Sequence, residues 1–472
     1  MIIGVILAIY LPYISTDDYF RVHYALWWWE HPGFTSSYVW LPGHHYIYGI
    51  VIGLTKDTFL APRLTSLAFF IGTALVALTI PNLKYLEKLV AVIWILFTPL
   101  LFVLASIPLS EPGMIFFLLS GISLLLNFRE NKNPLTLLFS AICFMGAAMF
   151  RYEAWLSLIL FYIYGRGITA NHISKITQKL ILMMPFFFPF VWIIFCFASQ
   201  GKFMAFLFAT TEDHYGQGSF IKSILSPTGI TILLELILIL AAIVYQVRKK
   251  GLQFFKDDLF LSFLVVTSIP TVIYSLAGAL PSQYTERIFA SILIIGSVFI
   301  GKTFYELKFK KIAAIIILGL FILFTSAGLN ISLKTPLGID KENVQISRWI
   351  NSLYANKKLN KNEHVLISYY MPDSTALLVI SNRIENVHLD AHGKTCTVQF
   401  LLPFEPTCPL PKWGKDVQIV IARKLTLEED YISYLKWKRI KEFPNWLVYK
   451  RPANSVFPKK RTVKAPGIFD RF

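Results

Sequence analysis

Long apolar runs alternate with short polar connections along this chain, and the alternation predicts most of its elements. Eleven runs approach the length of a bilayer crossing, about 17–25 residues. They are residues 1–14, 58–80, 89–108, 112–127, 134–150, 154–164, 180–198, 229–246, 259–280, 288–300 and 312–329. The first is short, but it has no basic residue ahead of it and no small-x-small cleavage site behind it, so it reads as a span rather than a signal peptide. Residues 154–164 and 288–300 are short as well and are expected to extend or tilt. The apolar stretch 46–54 cannot cross and fits a helix lying in the interface.

Beyond Asn330 the pattern changes. Val344, Ile346, Trp349, Ile350 and Leu353 fall on one helical face. Residues 364–370 and 416–423 read as strands, 427–435 as a helix, and 436–442 with 445–450 as a hairpin across Pro444. Residues 456–472, where Pro, Lys and Arg cluster, read as a disordered basic tail. The expected fold is an α-helical polytopic membrane domain over residues 1–329, with about 11 transmembrane helices and interfacial helices in the first outer loop. A small α/β domain over 330–455 follows it. That second domain has no Gly-rich phosphate loop and no evident triad, so shaping access to the first suits it better than chemistry.

Composition sharpens this picture. Of 472 residues, 55% are hydrophobic and 15% charged, against roughly 25% charged in a soluble domain, and mean hydropathy is +0.56. The net charge of +17 is not gathered in a nucleic-acid stripe. Residues 330–472 hold 23 Lys+Arg against 13 Asp+Glu, and the other 22 and 15 lie in and between the apolar runs. Membrane lipids, not nucleic acid, are the partners this distribution implies.

Orientation follows from the same charges. Alternate connections carry fifteen basic residues in short loops, from Lys84 and Lys88 to Lys310 and Lys311. The opposite set holds seven: Arg21, Lys56, Arg63, Arg151, Lys202, Lys222 and Arg287. The positive-inside rule puts the first set in the cytoplasm. With eleven spans the N-terminus is cytoplasmic and the C-terminal domain extracytoplasmic, in a multi-pass protein of the plasma or inner membrane. Four cysteines exclude a disulfide scaffold. Cys143 and Cys196 lie in apolar spans and read as buried hydrophobes. Cys396 and Cys408 lie in the outer domain, where disulfides persist, and are expected to bridge. A loop of that length gains roughly 3 kcal/mol from closure.

The candidate chemistry collects on the outer face. Residues 15–49 come directly off the first span and hold Asp17 and Asp18, the run Trp27-Trp28-Trp29, the turn Trp40-Leu41-Pro42-Gly43 and the pair His44-His45. Nine carboxylates lie in the outer membrane-side loops: Asp17, Asp18, Glu30, Asp57, Glu111, Glu153, Glu212, Asp213 and Glu286. Arg151 and Arg287 sit at the mouths of spans, where a guanidinium binds phosphate bidentately. Each residue also has a plainer reading. Asp17 fits a helix N-cap, Glu111 a first-turn carboxylate, and Arg151 with Glu153 a snorkelling surface pair. His44 and His45 suit substrate contact, a metal, or interfacial polar packing. The tryptophans suit membrane anchoring better than a sugar platform. Glu235, inside the eighth run, suits pairing within the bundle.

Taken together these motifs resemble a known family. Asp17-Asp18-Tyr19-Phe20 follows the first span, and an aromatic, proline-rich loop comes next. Leu109-Ser110-Glu111-Pro112 opens the fourth span, Phe150-Arg151-Tyr152-Glu153 ends the fifth, and Glu286-Arg287 precedes a late one. This layout is similar to the polytopic C-type glycosyltransferases, especially the branch of dolichyl-phosphate-mannose protein mannosyltransferases and lipid A aminoarabinose transferases. The resemblance covers about the first 330 residues. It implies transfer of a sugar, hexosyl or mannosyl in type, from a polyprenyl-phosphate donor to a lipid, glycan or protein acceptor. It makes Asp17 the catalytic carboxylate, puts Asp18 where the family usually has Glu, and places Arg151 and Glu153 at the family's arginine–acidic pair.

Transfer needs a base for the acceptor proton, and a positioned carboxylate supplies about 10²–10⁴-fold. The leaving lipid phosphate needs cations rather than a proton, and Arg151 and Arg287 supply them. Glu111, His44 and His45 complete the expected donor site. A divalent cation, if one is used, falls to Asp17 and Asp18. The competing class is a polysaccharide ligase or polymerase, or a lipid-linked glycan transporter. A transporter would show inverted repeats with broken helices, and a ligase or polymerase would place its essential residues in a large late outer loop, whereas here the acidic signal follows the first span directly.

Overall fold

The computed structural model describes residues 16–35, 40–200, 227–251, 258–276, 285–307, 319, 341–367, 373–383, 385–389, 407–409, 417–424, 437–452 and 462–464. The expected spans over 1–14 and 312–329, the loop carrying Glu212 and Asp213, and the helix over 427–435 lie outside the described residues. So does Cys396, and the side chains of Asp17, Glu286 and Cys408 do as well.

The chain divides into two compact units, one of Met1–Val51 with Leu60–Pro336, the other of Ile52–Phe59 with Leu337–Phe472. The first unit is helical. Its elements are α1 (Thr16–Glu30), α2 (Pro42–Thr55, whose end passes into the second unit), α3 (Leu60–Thr79), α4 (Tyr85–Phe97), α5 (Pro99–Ala105), α6 (Ser110–Asn131) and α7 (Pro134–Phe150). After a 3₁₀ turn, Tyr152–Ala154, come α8 (Trp155–Arg166), α9 (Lys175–Gln200), α10 (Pro227–Lys250) and α11 (Leu259–Leu276). A second 3₁₀ turn, Thr285–Phe289, leads into α12 (Ala290–Glu306). Among the described residues five helices are long and apolar enough to cross a membrane: those at Leu60–Thr79, Ser110–Asn131, Lys175–Ala198, Ile230–Lys249 and Arg287–Glu306. Pro134–Phe150 and Leu259–Pro270 are shorter apolar helices.

One expected span is corrected. Residues 89–108 are not a single helix, because the chain breaks between α4 and α5. Pro99 has no N–H to continue the ladder and pushes the residue before it out of the helical region. Thr98 is extended, at φ −60° and ψ 119°. Its N–H and its hydroxyl both return to Trp94 O at 2.9 Å, closing the end of α4.

The packing that matters for function is between α6 and α7. An ideal Cβ on Gly113 would clash with the ring of Phe150, so a bare backbone lets the start of α6 lie against the end of α7. Farther in, Ser140 Oγ donates to Gly121 O at 2.8 Å. Small residues at helix contacts serve this purpose where lipid removes the hydrophobic drive to associate.

The second unit holds α13 (Lys341–Ala355), α14 (Asp373–Ser381) and the strands β1 (His364–Ile367), β2 (Val387–Leu389), β3 (Thr407–Pro409), β4 (Val417–Arg423), β5 (Lys438–Glu442), β6 (Trp446–Lys450) and β7 (Thr462–Lys464). Five strands form a sheet in the order β2-β1-β4-β6-β5, parallel from β2 to β4 and antiparallel beyond. Leu366, Val417, Val420, Ala422, Trp437, Leu447 and Tyr449 make one buried cluster. Ile346, Ile350 and Leu353 are buried on α13. Residues 52–59 belong here too: Thr58 N–H donates to Asn382 Oδ1 at 2.8 Å and its hydroxyl to Val379 O at 3.1 Å. The tail expected to be disordered contains a strand, since β7 pairs antiparallel with β3. Thr462 and Val463 are β-branched, which suits a strand better than the surrounding Lys and Pro suggest.

Candidate functional site

The motifs at the mouths of the apolar helices converge. Glu111 lies in the first turn of α6, where free backbone N–H groups and the helix dipole favour an anion. It is fully buried. Arg151 ends α7 in an extended conformation, φ −150° and ψ 145°, and starts the 3₁₀ turn. That turn carries its guanidinium back over the start of α6. Arg151 Nη1 donates to Glu111 Oε1, and its Nε lies 3.1 Å from both oxygens of Glu153 while Nη2 also meets Glu153 Oε1. Arg287, on the turn before α12, brings its Nε within 3.4 Å of the same Glu111 oxygen. Ser110 Oγ donates to the other oxygen at 3.4 Å. Glu111, Glu153, Arg151 and Arg287 are therefore one ion network, not separate surface charges.

A third arginine lies close enough for its charge to act on Glu111. Arg21 on α1 is 5% exposed, and its guanidinium sits 4.9 Å from the centroid of the Trp40 ring. Its charge acts on Glu111, His44, His45 and Tyr48. Asp18, three residues earlier on α1, is also buried. Asp17 is in α1, and the position of its carboxylate is outside the described residues.

The two histidines part company. Their rings lie 87° apart with centroids 6.0 Å apart, so they do not face one site as a chelating pair. His44 stacks on Tyr48, at 4.0 Å and 17°, and its Nε2 donates to Pro108 O at 3.0 Å. His45 lies beside Tyr24, at 5.9 Å. Burial, and then Arg21, push the His45 imidazole down to about 3. Burial, Arg21 and His45 together hold His44 well below its ordinary value. Both rings are therefore neutral at physiological pH. Among the described residues no three His, Cys, Asp or Glu side chains group as metal ligands.

The tryptophan run holds the loop that follows it. Trp28 Nε1 donates to Gly33 O at 2.7 Å, and Trp27 stacks on His31 with centroids 4.1 Å apart. Sequence reasoning counted Arg21 only as a loop cation and passed over Tyr48 and Ser66. The available signals were the spacing of Arg21 three residues after Asp18 and of Tyr48 four after His44, each one helical turn.

No family model matches the chain, and no curated protein matches its sequence significantly. Its fold does have solved counterparts. ArnT from Cupriavidus metallidurans in the apo state aligns with a TM-score of 0.61 at 9% identity, over 97% of this chain and 97% of that one. ArnT from the same organism bound to undecaprenyl phosphate aligns at 0.54 and 10% identity, over 97% and 99%. An oligosaccharyltransferase of Archaeoglobus fulgidus, in complex with Zn and sulfate, aligns at 0.49 and 10% identity over 89% of this chain and 67% of its own, a likeness too loose to build on. The chain thus has the fold of ArnT along nearly its whole length.

Proposed function

We propose that this protein transfers a sugar from a polyprenyl-phosphate donor to a lipid, glycan or protein acceptor at the extracytoplasmic face of the membrane. The observation that carries the reading is the Glu111 network. Arg151 and Arg287 both reach Glu111, Arg151 also holds Glu153, and the charge of Arg21 acts on Glu111, beside an apolar helix bundle. A lipid phosphate is the ligand such a site suits, since guanidinium forks match its oxygens and the bundle suits its chain. The likeness of fold to a protein solved with undecaprenyl phosphate supports the same reading.

In this mechanism Asp17 removes the proton from the acceptor hydroxyl or amine. The freed electron pair forms a bond to the anomeric carbon, and the bond from that carbon to the phosphate oxygen breaks with inversion. The pair goes to the phosphate, whose added charge Arg151, Arg287 and Arg21 stabilise. Asp18 orients the acceptor or shares a cation with Asp17, and Glu111 and Glu153 hold the guanidiniums apart and aimed. The C-terminal domain lies outside the cytoplasm and carries the Cys396–Cys408 bridge. Non-reducing mass spectrometry of protein from its native membrane is expected to find that bridge, and free alkylatable thiols at both positions would defeat it.

The purified protein is tested against radiolabelled polyprenyl-phosphate sugars, with and without Asp17→Asn. Wild type consumes one donor of the panel, and Asp17→Asn abolishes transfer while retaining binding of undecaprenyl phosphate. A protein that binds no polyprenyl phosphate overturns the reading. Near-normal turnover in a folded Asp17→Asn variant removes Asp17 as the base.

A further inference from the structure

We infer that His44 and Tyr48 are positioning residues, a stacked pair that fixes the turn before α6 and with it the place of Glu111 between Arg151 and Arg287. The inference rests on the reading of that network as the phosphate site.

The pair is one helical turn apart on α2, and both side chains are fully buried. Each spends its donor on the same short stretch. His44 Nε2–H goes to Pro108 O, and Tyr48 O–H goes to Leu109 O at 3.2 Å. Tyr48 in turn shares a 2.7 Å bond with Ser66 Oγ on α3. With the tyrosine proton on Leu109 O, the serine is the donor there, so the chain runs from Ser66 through Tyr48 to the turn. Pro108 and Leu109 immediately precede Ser110 and Glu111. Leu109 is the N-cap of α6, with extended backbone and no side-chain cap, and its N–H turns back to Ile107 O at 2.9 Å. A buried carbonyl without a donor costs free energy, which ties Pro108 to His44, while the Leu109 carbonyl takes the first bond of α6 as N-cap and a second one from Tyr48.

The first turn of α2 also touches the other half of the network. An ideal Cβ on Gly43 would meet Met149 O at 2.8 Å, so α2 lies directly on the last turn of α7, two residues before Arg151. One helix end therefore sets the residues leading to Glu111 and those leading to Arg151. His44 Nδ1 has no hydrogen-bond partner among the described residues. Among the described residues a single donated proton from Nε2 is the ring's hydrogen bonding, and a neutral amide can supply that proton too.

The test is a double-mutant cycle on the full-length protein in detergent, read as undecaprenyl phosphate binding. Tyr48→Phe weakens binding about three- to tenfold, the worth of one buried hydrogen bond. In a Glu111→Gln background the same change adds less than about twofold, because its effect passes through Glu111. His44→Gln restores most of what His44→Phe loses. Equal losses in both backgrounds, or no loss in either, overturn the inference. If wild type binds no lipid phosphate, the functional reading falls and the cycle is read on thermal-inactivation half-life instead. Coupling between Tyr48 and Glu111 there upholds the positioning role, and additivity overturns it.

Discussion

Two glutamates in this protein are equally buried and differently placed. Glu111 and Glu235 each have 0% exposure, and each lies in a helix apolar enough to cross a membrane. Glu111 is in the first turn of α6 and meets Arg151, Arg287 and Ser110. Glu235 is well inside α10, and neither carboxylate oxygen accepts a hydrogen bond at normal distance among the described residues. Thr98 lies beside it, but the threonine hydroxyl donates to Trp94 O. Burial alone therefore says little about function. A helix end provides free N–H groups and lets cations arrive from adjoining turns, while a mid-span position has only neighbouring side chains.

The largest effect expected from this contrast is on Glu111. Replacing it by Gln leaves Arg151 and Arg287 facing each other without the charge between them. Removing one partner of a buried pair costs roughly 3–5 kcal/mol. Glu111→Gln is thus expected to lower the thermal-inactivation midpoint in detergent and to reduce turnover by more than about a hundredfold. A variant with wild-type stability and turnover would show that the network is incidental.

How much of this was legible depends on where charge meets apolar sequence. Glu111, Arg151, Glu153 and Arg287 stand at sharp edges of apolar runs, and four edges on one side of a bilayer are already near one another. The break at Thr98–Pro99 was hidden because hydropathy is averaged across it, although the proline marks it locally. Arg21 and Tyr48 were harder. They lie between the first two apolar runs, where α1 and α2 bury side chains against protein, and a pattern read as interfacial does not separate a face toward lipid from one toward other helices. Nothing local says that a tyrosine hydroxyl will meet a carbonyl 61 positions away.

The next effect is that of pH, and it tests whether α2 is as dry as the structure makes it. An unfolded imidazole titrates at about 6.5, whereas His45 is held down to about 3 by burial and then Arg21. His44 is held well below its ordinary value, again by burial first. Between the folded and unfolded values the unfolded chain carries the extra proton. Stability is therefore full above about pH 6.5 and falls as the pH drops, by up to about 1.4 kcal/mol per unit for each ring. Thermal inactivation should be level from pH 8 to 6.5 and accelerate at pH 5.5, with His45→Gln flattening part of the slope. A level profile down to pH 5 would mean that water reaches both rings.

A smaller effect separates charge from geometry at the network. Arg151→Lys keeps the charge but loses the fork that spans Glu111 and Glu153. The donor concentration for half-maximal rate should rise about tenfold with little change in stability, since a lysine still offsets the carboxylates. An unchanged donor titration would take Arg151 out of the donor site and leave it as a brace for Glu111.

The smallest effect is expected at Glu235, and its smallness is what the comparison stands on. Gln has nearly the shape of Glu, and the exchange breaks no hydrogen bond that the carboxylate makes at normal distance among the described residues. Among the described residues no guanidinium is left behind without its anion, which is the part of the Glu111 substitution that costs most. The Thr98 hydroxyl keeps its bond to Trp94 O, so the end of α4 is unaffected. Glu235→Gln should therefore shift stability by less than about 1 kcal/mol and leave turnover within about twofold of wild type. Glu235→Met, which removes the polar group altogether, should be neutral or stabilising for the same reason. Thermal inactivation and donor turnover of the two variants, measured beside Glu111→Gln, decide the matter. A tenfold loss of turnover at stable Glu235→Gln would make mid-span α10 part of the reaction and end the distinction between the two glutamates.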